Sequence, residues 1–67
     1  MTVLTQSNKL VNVDRFDTIE IDDCSIYALN DKREVVLGKY NDEEKAREAL
    51  FDLSEHIGTS KIYEMKK

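Results

Sequence analysis

The apolar positions of this chain change their period once, and the change falls at Gly38. Before that glycine they recur at the two-residue spacing of strands; after it they recur at the three- and four-residue spacing of a helix. Val3 and Leu4 predict a short first strand, with Gln6, Ser7 and Asn8 as turn residues before Leu10, Val11 and Val13 return. Asp14 and Arg15 interrupt the pattern. Phe16–Asp22 then alternates polar with apolar, which places Ile19 and Ile21 on one face of a half-buried strand. A turn at Asp22–Ser25 leads into Ile26–Leu29, and Asn30–Arg33 leads into Glu34–Tyr40. Strands separated by such short connections pair most economically as an antiparallel meander, expected over about residues 1–40.

The second half of the pattern predicts a helix over residues 42–57. Asn41 is suited to its N-cap, and Glu44 stands where a carboxylate can reach back to the cap in a variant of the capping box. Asp42, Glu43 and Glu44 complement the positive end of the helix dipole. Ala46, Ala49, Leu50, Leu53 and Ile57 form one stripe, with Phe51 beside it, and Gly58 supplies a left-handed C-terminal cap. Residues 60–67 are expected to add a short strand, around Lys61–Met65, or to trail as a tail. Sheet and helix each carry one apolar face, so the expected class is α+β, a four- to five-stranded antiparallel sheet packed on one face by a single C-terminal helix.

A chain of 67 residues has apolar side chains for one core, so a single domain spanning residues 1–67 is expected, of marginal stability. Cys24 is the one cysteine and forms no internal disulfide, which fits a reducing compartment and predicts a cytoplasmic protein. The opening segment lacks the apolar stretch of a signal peptide, and no run is long enough for a membrane span. The net charge of −4 and the scatter of lysine and arginine among acids argue against direct nucleic-acid binding.

Residues Glu34–Tyr40, a short polar cap, and Glu43-Glu44-Lys45-Ala46 leading to Leu50 resemble a group of small uncharacterised proteins of Gram-positive bacteria and their prophages. Leu10-Val11-Asn12-Val13, the acidic-aromatic turn and Ile19-x-Ile21 extend the likeness over roughly residues 9–57. The resemblance implies an intracellular bacterial or phage protein and carries over no functional residue.

Candidate chemistry is sparse. His56 and Cys24 are the single members of their types, and zinc binding or nucleophilic catalysis would need both to meet further partners in space. Two glycines, Gly38 and Gly58, do not make a phosphate-cradling loop, and neither a Walker nor a G-x-S-x-G spacing occurs. No catalytic residue, metal ligand or cofactor is therefore assigned, and no small-molecule substrate is expected in so small a domain.

Asp14, Asp17, Glu20, Asp22 and Asp23 form the densest acidic segment. Their spacing lacks the alternating oxygens and central glycine of a calcium loop. As an alternative they could imitate a phosphate array and inhibit a host nucleic-acid-binding protein. The preferred expectation is a non-catalytic protein that works by binding another protein or a second copy of itself. If Ile26 and Ala28 face the helix, Tyr27 and Leu29 face away and, with Val36, give the sheet an apolar outer face. Tyr27, Tyr40 and Phe51 are the aromatic anchors considered for such contacts.

Overall fold

The structure is a computed structural model and describes residues 1–58 and 62–66. Strand β1 (Thr2–Leu4) pairs antiparallel with β2 (Leu10–Asn12), and a 3₁₀ turn follows at Val13–Arg15. β3 (Thr18–Asp22), β4 (Ser25–Leu29) and β5 (Glu34–Lys39) form an antiparallel meander. Helix α1 (Glu43–Glu55) comes next, and β6 (Tyr63–Glu64) ends the order.

The class is α+β, as the periodicity predicts, but the strands divide into two three-stranded sheets, in the orders β2-β1-β6 and β3-β4-β5. The expectation of one continuous meander over residues 1–40 is corrected in this respect. The physical reason lies at the 3₁₀ turn. The Asn12 side chain accepts from Asp14 N–H at 3.1 Å, a local bond that curls the chain out of the extended conformation before β3 begins. β6 then pairs with β1 in parallel, Val3 opposite Tyr63, a long-range contact that no local pattern encodes. The predicted final strand is thus present at Tyr63–Glu64, while Lys61 lies outside the described residues.

Helix α1 starts one residue later than the capping reading placed it. Asp42, extended at φ −149°, ψ 167°, is the N-cap, and its carboxylate accepts from Lys45 N–H at 2.8 Å. Lys45 therefore occupies the third helical position, so Asn41 is not the cap and no capping box forms with Glu44. An ionised cap accepts the amide more strongly and also meets the helix dipole, which favours Asp42 over its neutral neighbour. At the other end His56 is the C-cap and Gly58 has φ +94°, the left-handed conformation expected there.

Val3, Ile26, Ala28, Leu37, Ala46 and Leu53 are all fully buried, so strands of both sheets and the helix meet in one apolar layer. Leu50 packs at its margin. Ile57, assigned to the stripe by spacing, lies beyond the helix end and is 58% exposed. Phe51 does not widen the stripe either: about 140° from Ala46 around the helix at 100° per residue, it points outward and is 67% exposed.

Gly38 explains why the apolar run breaks. A Cβ there would lie 3.1 Å from the Tyr40 hydroxyl oxygen and 3.2 Å from Gln6 Cδ, so only a bare backbone lets both side chains close over the strand. The β4–β5 ladder also shifts register here, Tyr27 facing Val36 but Ile26 facing Gly38, a bulge that keeps Leu37 in the core. Among the described residues no helix is long and apolar enough to cross a membrane.

Candidate interaction surface

The inward alternation of β4 fixes its outward one. Ile26 and Ala28 are fully buried, so Tyr27 and Leu29 project from the opposite face of the sheet, where both are half-buried. The register then builds the face row by row. Glu20, Tyr27 and Val36 lie abreast across three strands; Thr18, Leu29 and Glu34 form the row on one side, and Asp22, Ser25 and Lys39 the row on the other. The structure thus brings Tyr27, Leu29 and Val36 together, as the pattern predicts, and surrounds them with Glu20, Asp22 and Glu34. A shallow concavity of about 290 Å³ lies among Glu20, Asp22, Tyr27, Leu29 and Glu34. Its chemistry is an apolar centre with an acidic rim, and Lys39 lies in the row opposite Ser25.

The acidic segment does not converge. Glu20 and Asp22 share the outer face of β3, but Asp23 sits in the β3–β4 turn at φ 59°, and Asp17 precedes the strand. Asp14, in the 3₁₀ turn, accepts from the Met1 amino group at 2.5 Å. Among the described residues no three of His, Cys, Asp and Glu come close enough to hold a metal ion.

His56 and Cys24 occupy different parts of the fold, the helix C-cap and the β3–β4 turn. Cys24 belongs to the β3–β4 turn, where its carbonyl accepts from Tyr40 N–H at 2.8 Å. Loss of hydration, then the nearby Asp23, Asp42 and Glu43 carboxylates, raise its thiol above the ordinary value. His56 Nδ1 lies 2.8 Å from the Asp52 carbonyl oxygen, and its ring stands 4.9 Å from that of Tyr63. Tyr63 O–H donates to Asp52 Oδ2 at 2.5 Å, and Lys66 Nζ lies 4.0 Å from the same oxygen. This group fastens β6 and the segment after it to the helix. Tyr40 makes a fastening contact as well, its hydroxyl donating to the Lys66 carbonyl at 2.7 Å.

The sequence pattern missed a groove of about 440 Å³ between the last two turns of α1 and the start of β3, lined by Val13, Phe16, Ile19, Leu50, Leu53 and Ile57 among others. Periodicity places Ile19 on the buried face of its strand and Leu50, Leu53 and Ile57 on the helix stripe, and a pattern cannot register that two such faces fail to close on each other. Comparison of the chain with protein-family models, curated proteins and solved structures gives no match.

Proposed function

We propose that this chain is a small non-catalytic cytoplasmic protein, of bacterial or prophage origin, that acts by binding another protein or a second copy of itself through the outer face of the β3-β4-β5 sheet. The observation that carries this reading is the row Glu20–Tyr27–Val36 with Leu29 beside it, an apolar centre left uncovered because Ile26 and Ala28 occupy the inward positions. Tyrosine suits such a role, since it offers a large contact area for little conformational entropy. The acidic rim supplies the second reading, in which the partner is a host protein whose cationic nucleic-acid groove this face occupies.

Affinity capture with the wild-type chain and with Tyr27→Ala tests the surface. Partners held by the wild type and released by the variant support it; an identical captured set from both removes the outer face as the contact. Release that steepens with salt would favour the nucleic-acid-mimic reading, and salt-insensitive capture would count against it. Light scattering across a concentration series addresses self-association, which a strict monomer would eliminate.

A further inference from the structure

The edge of β3 and the groove beside it form one continuous feature, and the geometry points to its use as a dock for an extended segment of a partner protein in which apolar residues alternate with basic ones. This surface shares Glu20 and Asp22 with the rim of the outer face, but its backbone edge and groove lie apart from Tyr27 and Val36, and the inference stands whether or not that face binds anything.

The argument begins with the unpaired backbone. β3 lies at the end of its sheet, hydrogen-bonded to β4 alone, and among the described residues no other element takes up its outer edge. The remaining edges are shorter or partly covered. β2 has 3 residues and β6 has 2, whereas β3 has 5. β5 has 6 residues, but Gln6 occupies the Leu37–Lys39 end of its edge, donating its backbone N–H to the Leu37 carbonyl at 3.1 Å and accepting from Lys39 N–H at 2.7 Å. β3 therefore presents the longest uncovered run of edge N–H and C=O groups among the described residues to an incoming strand.

Its two faces specify the strand it would accept. A strand laid at the usual spacing of about 4.8 Å directs alternate side chains inward and outward. The inward ones would lie beside Ile19 and Ile21 and over the groove, against Leu50 and the exposed Ile57, where apolar side chains fit. The outward ones would stand beside Thr18, Glu20 and Asp22, where lysine or arginine meets opposite charge. The same carboxylates disfavour a second copy. In a two-fold antiparallel pairing about the middle of β3, Glu20 would face Glu20, and like charges directly opposite are repulsive.

Amide NMR of the full chain, titrated with an end-capped peptide of alternating lysine and valine, tests the inference. Shifts should concentrate at Phe16–Asp22 and Leu50–Ile57, with slowed hydrogen exchange in β3. N-methylation of the peptide at one set of alternate amides should abolish binding while methylation at the other set leaves it intact, because only one set faces β3. The exposed-site double variant E20K/D22K should bind about tenfold more weakly. Absence of binding, shifts centred on Tyr27 and Val36, indifference to N-methylation, or equal affinity for a glutamate–valine peptide would each overturn the proposal. So would β3 shifts that change with dilution of the protein alone, since the occupant would then be a second copy.

Discussion

Gln6 and Lys66 stand 60 residues apart in the chain, yet Gln6 Nε2 donates to the Lys66 carbonyl at 2.7 Å. The same side chain accepts from Lys39 N–H through Oε1 at 2.7 Å, and the Tyr40 hydroxyl donates to the same Lys66 carbonyl. One residue of the β1–β2 turn thus occupies one end of the β5 edge and holds the segment after β6. Two sheets that share no ladder are joined through it.

Gln6→Ala removes both side-chain bonds at once and leaves Lys39 N–H open to water. At roughly 0.5–1.5 kcal/mol per bond, the expected loss is about 1–3 kcal/mol, read as a lower urea midpoint with an unchanged slope. Amide exchange at Lys39 should quicken by more than the global loss accounts for.

Gly38→Ala should be the more damaging change, because its new methyl would meet Tyr40 and Gln6 at 3.1–3.2 Å in a segment where neither can move without breaking its bond to Lys66. A cost of about 1–3 kcal/mol is expected from the crowding. Gly58 offers the contrast. Among the described residues nothing lies within 4 Å of a Cβ placed there, so the strain of φ +94° is the cost expected of Gly58→Ala, and Gly58→Asn, a residue that tolerates left-handed backbone, should cost less than the alanine. Paired chemical denaturation of the three variants distinguishes steric from conformational need.

How far the pattern along the chain reveals the fold depends on the range of the forces involved. β3, β4, β5 and α1 are legible because each announces itself within a few residues: the alternation around Ile19 and Ile21, the apolar run to Leu37, the stripe of Ala46, Ala49 and Leu53. Tyr27, Leu29 and Val36 are legible on the same grounds, since alternation assigns them once Ile26 is known to face inward. The parallel pairing of β6 with β1 and the clasp of Gln6 are not, because both are set by contacts between distant segments. Gln6 read locally is merely a turn residue. The cap fell one residue from its expected place because Asn41 and Asp42 both satisfy the local rule, and the choice between them rests on charge.

Asp52 and Tyr63 should make stability depend on pH at both extremes. The hydrogen bond from Tyr63, aided by the charges of Lys66 and His56 and opposed by lost hydration, holds the Asp52 carboxyl below its ordinary value of 3.8. A group whose folded value is depressed stabilises the fold above its unfolded value, so this contribution is present above pH 3.8 and disappears as pH falls through the folded value. Burial, then the bond to Asp52 and its negative charge, push the Tyr63 phenol above 10.0, so its contribution is complete below that pH and is lost as pH rises beyond it. Tyr63→Phe should lower the urea midpoint near neutrality and flatten both flanks relative to the wild type. Profiles of the two proteins that run parallel from acid to alkali would refute the coupling.

Phe51 and Leu53 provide a last test, because composition alone ranks them the wrong way. Phe51 is the larger side chain and lies next to Leu50, yet it is 67% exposed, while Leu53 is fully buried at the centre of the layer shared by sheet and helix. Leu53→Ala leaves a cavity in the buried cluster and should cost about 2–5 kcal/mol, a large fraction of the stability of so small a domain. Phe51→Ala removes a ring already in water, so its effect should stay within about 0.5 kcal/mol. Thermal or urea unfolding of the two variants gives the comparison directly. A loss at Phe51 as large as that at Leu53 would mean the helix presents a different face to the core, and with it the groove beside β3 and the outward placement of Tyr27 would have to be redrawn.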